Sequence, residues 1–397
     1  MFVCGKSGFG KSYFLLQQAL FHAHNGDCVL IFDQNDAFTE SELLNSHRLP
    51  KQLFADTFLS FDLQSVIPIN LFDLTKHSNP IDAEEKLFAL LSAIVNDMGP
   101  VQESTLTSII HKIVTELGIG KVYKPEQMLE YMVTDDHTQK PFVQRIRNVL
   151  EETTKLHCLE RSWEQLFESK RIVVFSSGNK TARQRNYLFD MMLASIYSYK
   201  CSHEDKRCFL IIDELQKQNM SSNAPIDMII HEGRKHNLFM LLATQNYPKS
   251  KSSMKQIIGN AATKVYFRQT DESMNEIHSR VIDKAMLTEL ETGECIIEGN
   301  LFHLQQNANV FCALKGRSAD ISDCPFFTSS YPELVQETKK TQTIEEQIEE
   351  LNKDGLIDVV PEDLLSDSPV IKFMKSQLSQ KRVGTLTSQE LDLLFSE

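Results

Sequence analysis

The stretch Gly5-Lys6-Ser7-Gly8-Phe9-Gly10-Lys11-Ser12 sets glycine, lysine and hydroxyl groups at the spacing G-x-x-x-x-G-K-[ST]. Each residue type has a job beside a phosphate. Glycines let consecutive backbone N–H groups curl around the anion without a clashing Cβ. Lys11 has the length to reach the β- and γ-phosphates, and the Ser12 hydroxyl suits Mg²⁺. A helix from about Ser12 through Leu20 would point its positive end at the anion. The candidate nucleotide cradle is therefore Gly5 through Tyr13, and the implied cofactors are ATP and Mg²⁺. The bland alternative, a glycine-rich turn, is weakened by context: an apolar tip (Phe2-Val3-Cys4) precedes the loop and a helical apolar run (Phe14, Leu15, Leu16, Ala19, Leu20) follows it.

A phosphate loop alone hydrolyses nothing. The segment Phe209-Leu210-Ile211-Ile212-Asp213-Glu214 drives an apolar strand into a core and leaves two carboxylates at its carboxyl end. In an open α/β sheet that end lines the ligand crevice. Asp213 is the candidate magnesium ligand, through water, with Ser12. Glu214 is the candidate general base that polarises an attacking water. The alternative is a strand followed by an acidic helix cap. Leu241-Leu242-Ala243-Thr244-Gln245 places an amide, Gln245, where it could sense a γ-phosphate.

The elements that must position these groups show in the apolar pattern. Nearly continuous apolar runs, as in strands buried on both faces of a parallel sheet, occur at Cys28–Phe32, Thr57–Phe61, Arg171–Phe175, Cys208–Ile212, Leu238–Ala243 and Lys264–Phe267. This is an α/β layout. From 80 to 168 the pattern turns helical: Leu87, Leu90, Leu91, Ile94, Val95 and Met98, then Leu106, Ile109, Ile110, Ile113, Val114 and Leu117, then Pro125–Met132 and Phe142–Leu150. We read 80–168 as an all-α insertion between two parts of one ATPase domain, 1–79 and 169–315. Crossover helices of the sheet are the alternative. The acidic tail, 316–397, carries short helical patterns at Thr343–Leu351 and Ser388–Phe395 and reads as a partner-binding segment or a plain solvated face. The strand before the loop is short enough to need support, from chain upstream of it or from another segment.

The phrase Glu232-Gly233-Arg234-Lys235-His236-Asn237, ahead of the Thr-Gln strand, resembles the HerA/FtsK superfamily of ring-forming P-loop ATPases. Within it the chain is most similar to the branch of HerA and the conjugative type IV secretion ATPases. Ile31-Phe32-Asp33 resembles the second strand of that family. Ile69-Asn70-Leu71-Phe72-Asp73 resembles its N-P-F-D turn, with Leu71 in place of proline. Asn260–Val265 and Leu290-Glu291-Thr292-Gly293-Glu294-Cys295 resemble its later segments. The resemblance spans about residues 1–315. It implies a RecA-like P-loop NTPase fold with a mainly parallel central sheet, and a homo-oligomeric ring, a hexamer, with nucleotide at subunit interfaces. A neighbouring subunit would then offer an arginine to the γ-phosphate, with Arg234 the first choice and Arg268 the second. The implied activity is an ATP-hydrolysing motor that translocates DNA or energises conjugative transfer.

Composition bounds these readings. The chain has 397 residues, 41% apolar and 24% charged, long enough for two or three domains. A net charge of −13 argues against a surface coated in phosphate contacts, so DNA would be gripped by local pore loops. Lys249, Lys251 and Lys255 suit such a loop, or a merely solvated one, and Tyr247 is the one aromatic there that could stack on a base. The 8 cysteines form no C-x-x-C pair, so no zinc site is expected. A cytoplasmic location is expected, with the inner face of the cell membrane as the place where secretion proteins would be partners. Another class stays open: a truncated or partner-dependent ATP-binding assembly subunit, a scaffold of a secretion or DNA-processing complex. An adenylate-type kinase fits less well, because so long a stretch separates the loop from Asp213.

Overall fold

The structure is a computed structural model. It describes residues 1–318 except 46–48, 76–78, 96–97, 170, 178–180, 204–205, 221–223, 249–257, 280–281 and 305–307. Lys249, Lys251 and Lys255, and the tail helices expected at Thr343–Leu351 and Ser388–Phe395, lie outside the described residues. The chain forms two compact units.

The first unit takes Met1–Asn25, Gln245–Lys249 and the chain from Ala261 on. Its shortest strand, β1 (Phe2–Cys4), is wholly buried. The support it needs comes from β9 (Thr263–Tyr266), which runs parallel to it with Val3 opposite Val265. A long antiparallel hairpin extends this ladder. Strand β10 (Glu294–Leu304) pairs with β9 on one side and with β11 (Ala308–Arg317) on the other, with an irregularity between Asn300 and Phe302. Helix α1 (Lys11–His24) begins one residue before the expected Ser12 and runs one turn past Leu20. Phe14, Leu15, Leu16, Ala19, Leu20 and Phe21 are all buried, so the helix is apolar nearly all round and sits inside the unit.

The second unit takes Gly26–Thr244 and Ser250–Asn260. Five of its strands form one parallel ladder: β2 (Cys28–Asp33), β3 (Phe58–Asp62), β6 (Ile172–Ser176), β7 (Cys208–Ile212) and β8 (Leu238–Thr244), in the order β8-β7-β2-β6-β3. Every residue of β2 and β7 is buried, as a strand covered on both faces requires. Strand β3 departs from that expectation. Among the described residues it pairs only with β6, and its Ser60 and Asp62 are exposed while Leu59 and Phe61 are half-buried. It also starts later than expected, because Thr57 closes a helix.

Between β2 and β3 lie α2 (Glu40–Asn45) and α3 (Lys51–Thr57). Between β3 and β6 the described residues form α4 (Pro80–Ser92), α5 (Pro100–Leu117), α6 (Pro125–Leu129), α7 (Lys140–Thr153) and α8 (Trp163–Ser169). A parallel ladder of two residues each, β4 (Val66–Ile67) with β5 (His157–Cys158), joins the start and end of this segment. Two elements are shorter than their patterns. The α4 pattern runs to Met98, but the helix stops at Ser92 and Ile94 is buried from a turn. The α6 pattern runs to Met132, but the helix ends at Leu129, and Met132 is buried in the turn that follows. Burial, not helical continuity, sets those apolar positions.

A helix absent from the sequence reading, α9 (Ala182–Ser202), connects β6 to β7, and α10 (Pro225–Glu232) connects β7 to β8. Helix α4 packs on α5 and α9. The one tryptophan of the chain, Trp163 on α8, donates its indole N–H to Ser195 Oγ of α9 at 3.0 Å. Among the described residues no helix is long and apolar enough to cross a membrane.

The fully buried β7 should carry much of the stability of its unit. Ile211→Ala deletes three buried carbons from a strand with neighbours on both sides and should lower stability by about 2–5 kcal/mol. Ser60→Ala, on the exposed face of β3, should change it by less than about 0.5 kcal/mol. Urea denaturation of both variants checks the contrast.

Candidate functional site

The site residues lie in both units, and each set is described where it stands. In the first unit the loop Gly5–Ser12 leaves β1 and enters α1. Two glycines are dictated by geometry. A Cβ on Gly5 would lie 2.6 Å from Phe267 Cβ, closer than carbon atoms approach. Gly10, the N-cap of α1, has φ 103°, a left-handed conformation that only glycine adopts freely. Ser7 and Gly8 are exposed at the tip, whereas Lys6, Phe9, Ser12 and Tyr13 are half-buried. The ammonium of Lys11 is drawn back into the loop, donating to Gly5 O at 2.7 Å and Lys6 O at 2.9 Å. The first backbone N–H groups of α1 have no partner within the helix, so they suit an anion.

Residues distant in sequence brace this loop. Gly293 N–H donates to Phe9 O at 3.1 Å, so the Thr-Gly-Glu phrase singled out in the sequence touches the phosphate loop. Lys6 N–H donates to Arg268 O at 2.8 Å, and the Arg268 guanidinium lies 5.4 Å from the centre of the Phe9 ring. The second-choice arginine thus stands against the loop of its own chain. Gln269 is 1% exposed, and its Nε2 donates to Cys4 O at 3.0 Å and Phe267 O at 2.7 Å. It ties the ends of β1 and β9 together. Cys4 Sγ in turn donates to Gln269 Oε1, and burial pushes the Cys4 thiol up to about 12, so it stays protonated.

Tyr247 is corrected here. Its ring packs edge-on against Phe2 and tilts against Tyr266, and it is 9% exposed. An aromatic committed to the support of β1 is no platform for a base. Gln245, half-buried, lies in the bend that follows β8 and belongs to this unit.

In the second unit, Asp213 and Glu214 leave the carboxyl end of β7 and are 2% and 4% exposed. Asp213 Oδ1 accepts the Glu214 N–H at 2.9 Å. Glu214 has φ 60°, a left-handed conformation that strains a side-chain-bearing residue by about 1–3 kcal/mol. Its carboxylate is held by two amides: Oε1 accepts from Asn35 Nδ2 at 2.8 Å, and Oε2 accepts from Gln216 Nε2. Thr244 Oγ1 donates to Gln216 Oε1 at 2.7 Å, and Lys217 Nζ donates to Asn35 Oδ1. A hydrogen-bond chain therefore crosses the carboxyl ends of β2, β7 and β8. Asp33, the last residue of β2, accepts the N–H groups of Asn35, Ala37 and Phe38. Burial raises its pKa to about 6 against the pull of those three donors, and the charge of Asp213 adds to the rise.

Arg234 is exposed on the short 3-10 turn Gly233–His236, just before β8. Leu238 of β8 is opposite Cys208, at the end of β7 away from Asp213. Within one chain, then, Arg234 and Glu214 stand at opposite ends of these strands. The sequence reading missed Asn35, Gln216, Lys217 and Gln269. Polar residues directly after an apolar strand were the available signal for the first three. For Gln269 the signal was an amide set just past a buried strand.

No protein-family model matches the chain, and no curated protein matches it. Among solved structures it is similar to VirB4 of Thermoanaerobacter pseudethanolicus, at 16% identity and TM-score 0.51, over 75% of this chain and 85% of that one. It is also similar to the bacterial conjugative coupling protein TrwB lacking its N-terminal segment, at 14% identity and TM-score 0.55, over 80% and 84% of the two chains. TrwB in complex with ADP and Mg²⁺ matches at 14% identity and TM-score 0.56, over the same shares. The likeness shows the fold: an α/β, RecA-like P-loop architecture, mainly parallel.

Gln269 should behave as a clamp. Gln269→Ala removes the side-chain donor from Phe267 O and leaves Cys4 O with the Phe267 N–H, and it should lower stability by about 1–3 kcal/mol. Thermal denaturation reads this. A variant as stable as the parent would show that β1 is held by its ladder alone.

Proposed function

We propose that the chain is an ATP-hydrolysing motor of a homo-oligomeric ring, a hexamer, that translocates DNA or energises conjugative or type IV secretion transfer. The observation that carries this reading is the carboxylate of Glu214. It is buried at a strand end, strained in its backbone and fixed by two side-chain amides, in a chain that also builds a braced phosphate loop. Any buried carboxylate needs donors, but a strained backbone at a strand end is a mark of functional sites, and a general base needs a fixed orientation toward one water. The fold shared with VirB4 and with a TrwB that holds ADP and Mg²⁺ supports nucleotide chemistry here.

The roles follow residue by residue. Backbone N–H groups of Gly5–Tyr13 take the phosphates, and Lys11 turns from the carbonyls of Gly5 and Lys6 to the β- and γ-phosphates. Ser12 Oγ and the Asp213 carboxylate are hard oxygen donors that fit Mg²⁺, which when bound would neutralise phosphate charge. Glu214 orients and deprotonates the attacking water. Gln245 senses the γ-phosphate, and its neighbour Thr244 reaches Glu214 through Gln216. Arg234, exposed and away from its own Glu214, serves a neighbouring subunit. DNA and membrane-bound secretion proteins are the proposed partners, and the segment 80–168 is an inserted domain that is helical apart from β5, which departs from the all-α expectation.

Lys11→Ala should abolish phosphate grip and ATP hydrolysis. Glu214→Gln should keep nucleotide binding while lowering kcat by about 10²–10⁴-fold. Steady-state hydrolysis and equilibrium binding of a labelled nucleotide separate the two. Hydrolysis unchanged in Lys11→Ala would refute the site, and stimulation of the parent by DNA would support DNA as the track. The in-trans role of Arg234 has its own test. Arg234→Ala should lower kcat by about 10³-fold or more. Mixing it with Lys11→Ala protein should restore activity, since some interfaces then combine an intact loop with an intact arginine. Mixtures no more active than their components would assign Arg234 elsewhere.

A further inference from the structure

Within the first unit, Arg268 is held against the phosphate loop by its backbone and by its side chain. It follows β9 and is half-buried. Its carbonyl accepts the Lys6 N–H at 2.8 Å, and the residues on either side of it, Phe267 and Gln269, both donate to Cys4 O at the end of β1. Its guanidinium lies over the ring of Phe9, a residue of the loop, at 5.4 Å from the ring centre. Such a stack holds a guanidinium by its face and leaves the N–H donors along its edge to find acceptors elsewhere. Among the described residues no hydrogen bond or ion pair meets that edge. The carboxylates on either side of Gly293, which itself donates to Phe9 O, are engaged by other cations: Glu294 by Lys315 at 3.3 Å and Glu291 by Arg317 at 2.7 Å. Asp271 and Glu272, exposed in the first turn of the next helix, form no ion pair with Arg268 either.

A guanidinium keeps its charge in a protein, and a donor edge fixed in place is matched to an acceptor of fixed position. The loop on which it rests is shaped for one class of acceptor. Its glycines are dictated by close approach and by positive φ, and the N–H groups that open α1 suit an anion. A planar fork grips paired phosphate oxygens, a geometry that the point charge of Lys11 does not offer. Resting on the reading of Gly5–Tyr13 as a nucleotide cradle, we propose that Arg268 is a further phosphate-binding residue of that cradle, acting on the nucleotide of its own chain. The arginine that the sequence offered as second choice for a neighbour's site thereby belongs to its own.

Equilibrium binding to the full chain tests this without hydrolysis. Arg268→Met removes the cation but keeps an unbranched stem and a sulfur contact for the Phe9 ring, so the thermal midpoint should not move. Its affinity for a non-hydrolysable ATP analogue, read by calorimetry, should fall by about tenfold to a hundredfold, as for lost hydrogen bonds to a charged group. Its affinity for inorganic pyrophosphate, read by displacement of a labelled nucleotide, should fall as well. Arg268→Lys keeps the charge without the fork, and its affinities should lie between those of Arg268→Met and the parent. An equimolar mixture of Arg268→Met with Lys11→Ala protein should show no sites of parental affinity, because every loop then lacks one cation of its own chain. Lys11→Ala alone reports on the cradle. If it binds the analogue as the parent does, the cradle is misassigned and this role goes with it. If it loses binding while Arg268→Met binds as the parent does, the role of Arg268 alone falls. Three further results would overturn the proposal. Unchanged pyrophosphate affinity in Arg268→Met would assign the contact to the base or sugar, a lowered thermal midpoint would make Arg268 a brace of the loop, and sites of parental affinity in the mixture would put it in a neighbour's site.

Discussion

The phosphate loop hangs from a strand of three residues, and everything that the loop does depends on how β1 is held. A strand so short cannot fix a loop by its own ladder. Parallel pairing with β9 sets its register, the buried tyrosines 247 and 266 wall it in, and Gln269 ties its last carbonyl to the end of β9. The same close approach forbids a side chain at Gly5. Backbone N–H groups can cradle an anion only if they stay aimed without it. The bracing from Gly293 and Arg268 serves that aim, as it joins the loop to the hairpin strand and to the residue after β9.

The acidic end of β7 solves a related problem by other means. There the backbone is strained and the side chains hold it. Two amides share the Glu214 carboxylate, and Thr244 orients one of them. Neutral amides fix the direction of the carboxylate without setting a cation against it. Asp33, at the end of β2, is fixed by three backbone donors, and burial lifts its pKa to about 6.

Much of this was legible in the sequence because the signals were local. The loop, the Asp213-Glu214 pair and five buried strands each announce themselves within a few residues. What escaped depended on tertiary surroundings. Helix α9 carries a capping pair, Thr181 with Gln184, but its middle is buried on all sides from Tyr187 to Ile196, so it shows no amphipathic rhythm. Strand β3 looked like an interior strand and is half-exposed, since only β6 flanks it. Tyr247 looked available and is spent on packing. Asn35 and Gln216 are ordinary surface amides until the fold brings them to Glu214.

The tiny β4–β5 ladder has a consequence for how such a chain can change over time. His157 N–H donates to Ser65 O and Leu159 N–H to Ile67 O, so the chain leaves and re-enters the sheet region through a doorway one strand spacing wide. Anything that starts and ends at that doorway is geometrically invisible to the register of β3 and β6. The entropy cost of closing a longer excursion there grows only logarithmically with its length. The doorway leaves the α4–α7 segment free to vary in length without shifting the register of β3 and β6, so long as the faces of α4 and α7 that meet α9 are kept.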